Sequence, residues 1–319
     1  MSIYFGRFFF MDYVKGVTFG FMSKRGEWAT SQAKESLRLM KDRCAADHVI
    51  LPIVVEQKTA QSTKINWQGE KVLADSEIIE MITFAKSIGL KVILKPMVNV
   101  SDGTWRAHIN FFEYDVPCEP KWSEWFASYT EYISHYAKLA EKTGCELFVI
   151  GCELVNTDRR ENEWRRLIRE VRLLYRGPIT YNCDKYQETN VTWWDAVDVI
   201  SSSGYYPIDK WSQELDRIES VVLRENKPFF FCEAGCPSRQ GSEYLPNDWT
   251  YTAKANQVSQ GSWYRAMFEA CQKRNWVDGF GLWDWKSTLY KKEEAALDTD
   301  YALYSKVSER IVQEFYKNI

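Results

Sequence analysis

The stretch "KPFFFCEAGCPS" (227–238) combines a buried strand with a carboxylate at its end. Three phenylalanines followed by Cys232 are typical of a strand that is covered on both faces, as in parallel sheets. Burying an unpaired charge costs several kcal/mol or shifts the pKa of the group, so Glu233 requires a partner or a function. A second stretch, "CELFVIGCELVN" (145–156), repeats the design, with Glu153 directly after the apolar run 147–152.

Strand patterns and helix patterns alternate along the whole chain. The predicted strands cover 15–20, 48–55, 91–100, 145–153, 178–183, 198–206, 227–235 and 278–285. Eight strands at a spacing near forty residues predict an α/β fold, a (β/α)8 TIM barrel, as a single domain over residues 1–319. A doubly wound sheet is the alternative, and the lack of a GxGxxG or GxxxxGK[ST] motif after the first strand counts against it.

Helices are predicted from apolar residues at helical spacing between these strands. The clearest patterns cover 76–89, 121–144, 161–177, 212–226 and 308–318. The first two end at Gly89 and Gly144, residues that favour the left-handed conformation of a helix C-terminus. The connection 184–197 is the weakest helix prediction.

Composition excludes some partners and leaves one question open. The net charge of −3 gives no electrostatic reason to expect nucleic acid or an anionic membrane as a partner. The 14 Trp, 18 Tyr and 17 Phe indicate either a bulky core or a cleft paved with rings for sugar binding. No segment has the length of a membrane span.

Cysteine usage and the N-terminus bear on the compartment. Four of the eight cysteines fall within predicted strands, and no CxxC spacing occurs, which is typical of reduced core thiols. The start "MSIYFGRFFFMDYVKG" lacks the basic, apolar and cleavage regions of a signal peptide. We therefore expect a cytoplasmic enzyme; a secreted protein whose signal peptide is absent from this sequence is the alternative.

Polar and aromatic residues stand at the ends of the predicted strands, where barrel active sites are built. Glu153 ends the fourth strand and Glu233 the seventh. The other strand ends carry Asn99, Asn182, the pair Tyr205 and Tyr206, and the pair Trp283 and Trp285. Glycoside hydrolysis needs one carboxylic acid to protonate the leaving oxygen and one carboxylate to attack or to activate water. The two glutamates fit that chemistry.

Other chemistries fit less well. Three histidines, on different types of element, do not suggest a zinc site, and no GxSxG motif indicates a serine nucleophile. Lys95 lies within the third strand, where a desolvated lysine could form a Schiff base. The preferred interpretation of Lys95 is a charge partner for the nearby glutamates. We expect no metal and no organic cofactor.

Six motifs in order along the chain resemble glycoside hydrolase family 113, the β-1,4-mannanases of the retaining clan A barrels. They are "KGVTFG", "LKPMVNV" followed by "DGTWRAHI", "IGCELVNTD", "SSGYYP", "FCEAGCPS" and "GLWDW". The resemblance covers nearly the whole chain. It implies cleavage of mannan or manno-oligosaccharides with retention of the anomeric configuration.

The resemblance also implies roles for individual residues. Glu153 would be the acid/base and Glu233 the nucleophile, with a tyrosine after the sixth strand, Tyr206 or Tyr205, bonding the nucleophile. Trp283 would form the floor of the −1 sugar site. Most of the clan has Asn before the acid/base, where it contacts an equatorial 2-hydroxyl. This chain has Cys152 there, which is compatible with the axial 2-hydroxyl of mannose.

Further sugar contacts are expected from the loops of the catalytic face. The candidates for substrate binding are Lys95, Asn99, Trp105, Cys152, Asn182, Tyr205, Asn247, Trp249 and Trp285. The loop 239–257 after the seventh strand is long enough to shape sugar subsites. Two alternatives remain open: a clan A glycosidase for another β-linked sugar, such as galactan or xylan, and a non-catalytic sugar-binding barrel.

Overall fold

Eight parallel strands follow one another around a barrel in residues 11–319, the part of the chain that the computed structural model describes. The strands are β1 (Val14–Phe19), β2 (His48–Gln57), β3 (Lys91–Val100), β4 (Leu147–Cys152), β5 (Ile179–Cys183), β6 (Val199–Ser203), β7 (Phe229–Ala234) and β8 (Val277–Trp285). Because β1 pairs with both β2 and β8, the sheet is closed. The predicted (β/α)8 barrel is confirmed, and the doubly wound alternative is wrong. The N-terminal residues in which we expected no signal peptide lie largely outside the described range.

Seven α-helices surround the barrel within residues 11–319. They are α1 (Ser31–Cys44), α2 (Asp75–Ser87), α3 (Trp122–Thr143), α4 (Glu161–Leu174), α5 (Trp211–Glu225), α6 (Gln257–Cys271) and α7 (Val307–Lys317). The five named helix patterns correspond to α2 to α5 and α7. Gly144 ends α3 in the left-handed conformation, with φ of 63°, as its sequence position predicts.

The connection between β5 and β6 contains no α-helix. It has only the 3-10 turn Trp194–Ala196, so the weak helix prediction there is wrong. Both indoles of this connection are buried and donate to backbone oxygens: Trp193 to Asp158 and Trp194 to Glu188. Packing of these rings against the barrel therefore determines the path of the chain, in place of helix propensity.

The aromatic content belongs mainly to the layer between the sheet and the helices. Ten of the 14 tryptophans are buried, and Trp164 stacks on Trp193 with centroids 4.9 Å apart. The bulky-core interpretation thus explains most of the rings. A smaller set, which includes Trp105, Trp249 and Trp283, lines the cavity described below.

The barrel interior explains how a charged residue ends β7. Phe230 and Cys232 pack inside the barrel, whereas Phe229 and Phe231 belong to the outer core, as the period of two requires. Against β6, the register of β7 shifts by one residue before Glu233. Such a bulge re-aims the following side chain.

In the described part of the chain, no helix combines the length and apolarity that crossing a bilayer requires.

Candidate active site

One cavity of about 890 Å³ opens at the carboxyl ends of the strands. Glu153, the residue after β4, and Glu233, near the end of β7, both line it. Carboxyl groups from strands that lie apart in the sequence are therefore brought to one cleft, which is the arrangement expected for a barrel enzyme. No cluster of three or more metal-binding side chains occurs in residues 11–319.

Glu233 is held by several donors. Lys95 contacts its Oε1 atom, the Cys152 thiol donates to the same oxygen at 3.3 Å, and the Tyr205 hydroxyl donates to Oε2 at 2.9 Å. Burial alone would raise the pKa of this carboxyl, but the charges of Lys95 and Arg106 and the hydrogen bonds lower it overall. Glu233 is therefore an ionised carboxylate, as a nucleophile must be.

Lys95 is fully buried in the middle of β3. Its ammonium group contacts Glu233 and donates to Oδ1 of Asn182 at 2.7 Å. Burial disfavours the charged form, yet the neighbouring acidic groups raise the pKa of Lys95 overall. A lysine that carries its proton is not a nucleophile, so the geometry favours the charge partner over the Schiff base.

Glu153 has a different environment. Its Oε1 atom accepts from the Ser203 hydroxyl at 2.7 Å, and Oε2 accepts from Nη1 of Arg106 at 3.1 Å. The backbone of Glu153 is left-handed, with φ of 52°, which is costly for a residue with a side chain. Its amide donates to the carbonyl of Asn182 at 2.8 Å and so anchors this conformation. Strained backbone of this kind is often kept at functional positions.

Arg106 was missed by the sequence analysis. It lies in a 3-10 turn after β3, is buried, and connects three candidate residues. Besides Glu153, it donates to Asn99 at 2.6 Å and contacts the Cys152 sulfur at 3.5 Å. In the sequence, Arg106 stands alone between Trp105 and an apolar turn in "DGTWRAHI". This segment is typical of a surface loop, so the pattern did not indicate a site residue.

The tyrosine prediction requires a correction. Tyr205, and not Tyr206, donates to Glu233. Tyr206 is fully buried on the other side of β6, where its hydroxyl donates to Glu188 at 2.7 Å and its ring packs 5.2 Å from that of Trp211. Adjacent residues of an extended chain face opposite sides, so only one of the pair can reach the cavity.

Trp285 likewise does not reach the cavity. Trp283 lines it and packs against Phe21, with ring centroids 4.5 Å apart. Trp285 is buried behind the sheet and donates to the Ser36 hydroxyl on α1 at 3.0 Å. A one-residue register shift of β8 against β1, between Leu282 and Trp285, explains why Trp283 and Trp285 face opposite sides of the sheet. The prediction that Trp285 contacts the substrate is therefore wrong.

The remaining substrate-binding candidates divide into two groups. Four of them line the cavity: Asn99, Trp105, Asn247 and Trp249. Cys152 and Asn182 are buried beneath the cavity surface with Lys95, and they contact Glu233 directly or through that lysine. The second group therefore positions the carboxylate and does not face a ligand.

Asp184 was also missed, although it follows β5 directly. It lines the cavity next to Lys185, whose Nζ atom is 3.8 Å from its Oδ1 atom. Burial and the charge of Glu153 raise the pKa of Asp184 from 3.8 to about 7. Asp184 could have been identified from its position at the end of β5, the barrel strand next to β4.

Two glutamates at the ends of β4 and β7, one of them held ionised, define the site of a barrel glycoside hydrolase. The sequence pattern of Glycoside Hydrolase Family 113 matches residues 17–306. The chain belongs to this family.

Solved structures agree in fold over nearly the whole chain. A GH113 β-1,4-mannanase complex is 55% identical, with a TM-score of 0.96, over 97% of this chain and 100% of its own. The GH113 β-mannanase AaManA from Alicyclobacillus acidocaldarius, in complex with ManMIm, is 38% identical, with a TM-score of 0.93, over 97% and 98%. A β-glucuronidase from Faecalibacterium prausnitzii, 13% identical, shares the fold alone, with a TM-score of 0.64 over 96% of this chain and 49% of its own. No curated protein sequence matches the chain significantly.

Proposed function

We propose that this protein is a retaining β-1,4-mannanase that cleaves mannan or manno-oligosaccharides by double displacement. The observation that carries the proposal is the pairing of an ionised Glu233 with Glu153 in one cavity. The two relatives at 55% and 38% identity are both named as mannanases, which supports mannan over galactan or xylan as the substrate. A non-catalytic sugar-binding barrel would have no need to keep both glutamates.

In the first step, Glu233 attacks the anomeric carbon. Lys95 and Tyr205 hold its carboxylate ionised and oriented, so that one oxygen is directed at the sugar. Glu153 donates its proton to the glycosidic oxygen, and the aglycone leaves as an alcohol. The products of this step are a glycosyl ester on Glu233 and an ionised Glu153.

In the second step, Glu153 takes a proton from water and the resulting nucleophile attacks the same carbon. The ester bond to Glu233 breaks, and both carboxyl groups return to their starting states. Arg106 and Ser203 bond the two oxygens of Glu153, so they hold its carboxyl group in place through both steps. Two inversions give net retention.

The stereochemical outcome tests this mechanism directly. We expect ¹H NMR of a mannohexaose digest to show the β-anomer of the new reducing end first, followed by mutarotation. Xylohexaose and a β-galactan, incubated in parallel, should be cleaved far more slowly or not at all. An initial α-anomer would contradict double displacement, and preferential cleavage of xylohexaose or galactan would contradict the substrate assignment.

We also propose that the protein works in a reducing compartment, the cytoplasm. All eight cysteines are unpaired, and seven of them are buried. Thiols of this kind serve as small core residues where disulfides do not form. Subcellular fractionation of the native host, followed by immunodetection, should find the protein with cytoplasmic markers; recovery from the medium or cell surface would contradict this proposal.

A further inference from the structure

Two loops from opposite sides of the barrel meet over the cavity. Trp105 lies in the loop after β3, and Trp249 lies in the long loop after β7. In a closed barrel of eight strands, β3 and β7 are four strands apart and therefore face each other across the mouth. The two indole rings nevertheless make contact, with centroids 6.5 Å apart and planes at 64°. This is the edge-to-face geometry that aromatic rings favour.

The contact forms part of the cavity wall. Both indoles line the cavity that contains Glu153 and Glu233, and a third loop supports one of them: Nζ of Lys185 lies 5.9 Å from the centroid of the Trp105 ring. A cation at this distance from an indole face is attracted to it. Trp105 is therefore the better supported half of the contact. Trp249, which is 61% exposed, is the half with less support from the protein.

We infer that the contact between Trp105 and Trp249 is an aromatic bridge that admits one unsubstituted mannan chain and disfavours chains with side branches. This inference deepens the proposed function and rests on it. A bare β-1,4-linked chain presents flat sugar faces that can lie against the indoles. A galactosyl branch adds a ring where the opposite loops touch, so the bridge must part before the branched chain can bind.

The size of the effect follows from the weakness of the contact. An exposed aromatic pair adds only a small stabilisation, so parting it lowers the population of the binding-competent state by about tenfold or less. The bridge is therefore a filter that changes relative rates, and not a permanent barrier. Replacing Trp249 should relieve most of this selection, because the contact across the mouth needs both rings.

The test compares linear mannohexaose with a manno-oligosaccharide that carries one α-1,6-galactosyl branch. For Trp249→Ala, we expect the ratio of kcat/KM for the branched substrate to that for the linear one to rise about three- to tenfold. Trp249→Phe keeps a ring and should remain near the wild-type ratio. Tyr244→Ala is the matched control, because Tyr244 is an exposed aromatic residue of the same loop that does not line the cavity.

The outcomes separate the bridge from the proposed function. A wild-type enzyme that does not cleave mannohexaose contradicts the proposed mannanase. A wild-type enzyme that cleaves it, together with an unchanged ratio in a folded Trp249→Ala variant, contradicts the bridge alone. An equal loss of kcat/KM on both substrates also contradicts the bridge, because Trp249 would then be a stacking surface without selectivity.

Discussion

The two glutamates of the cavity differ in the way the protein surrounds them. Glu233 lies at 3% exposure against a buried lysine, a tyrosine hydroxyl and a thiol. Glu153 faces the cavity between a serine and an arginine, on left-handed backbone, and near the carboxyl of Asp184. The comparison shows that a buried cation and several donors hold Glu233 as a carboxylate, while Glu153 faces the cavity, as the proposed proton donor must.

The largest expected effect is the loss of the nucleophile. Glu233→Ala should lower kcat/KM on manno-oligosaccharides by at least about 10⁴-fold, because it removes the carboxylate that forms the glycosyl ester. With a β-mannosyl fluoride, added azide should enter the vacated space and yield the α-azide. Glu56→Ala removes an exposed carboxylate of the same cavity and should cost less than about tenfold. A β-azide product from Glu233→Ala would show that the roles of the two glutamates are reversed.

Loss of the acid/base should have a smaller and substrate-dependent effect. Glu153→Ala should reduce cleavage of oligosaccharides by about 10²–10⁴-fold, the usual contribution of general acid catalysis. A dinitrophenyl mannoside, whose leaving group needs no proton, should react to form the ester at a nearly normal rate. Azide should then release the sugar as the β-azide. An equal loss of rate on oligosaccharides and on the dinitrophenyl mannoside would contradict the assignment of Glu153 as the acid/base.

The adjacent tyrosines provide a matched pair for the environment of Glu233. Tyr205→Phe removes a donor from its carboxylate, so the pKa of Glu233 should rise. A hydrogen bond to a charged group contributes about 1.5–3 kcal/mol, which corresponds to roughly a 10–100-fold loss in kcat/KM. The acidic limb of the pH profile should move to higher pH.

Tyr206→Phe is the control for that variant. It removes the hydroxyl of a fully buried tyrosine, which bonds Glu188 outside the cavity. The variant should lose stability while its acidic limb stays in place. An acidic limb that moves in Tyr206→Phe and not in Tyr205→Phe would contradict the assignment of Tyr205 to the nucleophile.

The smallest expected effect concerns Asp184 and is measured as stability. The folded state raises the pKa of Asp184 from 3.8 to about 7, so its contribution is favourable below about pH 4 and is lost as the pH rises towards 7. Asp184→Asn removes that titration. Its stability relative to wild type should therefore increase by about 1–3 kcal/mol between pH 5 and pH 8. Urea unfolding at both pH values measures this change, and a constant difference would exclude the raised pKa.

Comparison of the predicted and observed sites shows which residues sequence patterns can locate. Glu153 and Glu233 could be placed because each directly follows an apolar run, and the carboxyl ends of barrel strands share one face. Asn99 and Trp105 also reach the cavity. Arg106 could not be found in this way, because it comes from the 3-10 turn Arg106–His108 and not from the end of a strand.

The sequence by itself determined the barrel and the pair of strand-end glutamates. Strand and helix periods are local properties, and eight repeats of them leave few other folds. Only the tertiary structure decided between Tyr205 and Tyr206 and between Trp283 and Trp285. The two tyrosines alternate in facing, and only the fold fixes which of them faces the cavity. A one-residue register shift of β8 against β1 separates the two tryptophans, and such a shift arises from pairing between strands that are distant in the chain.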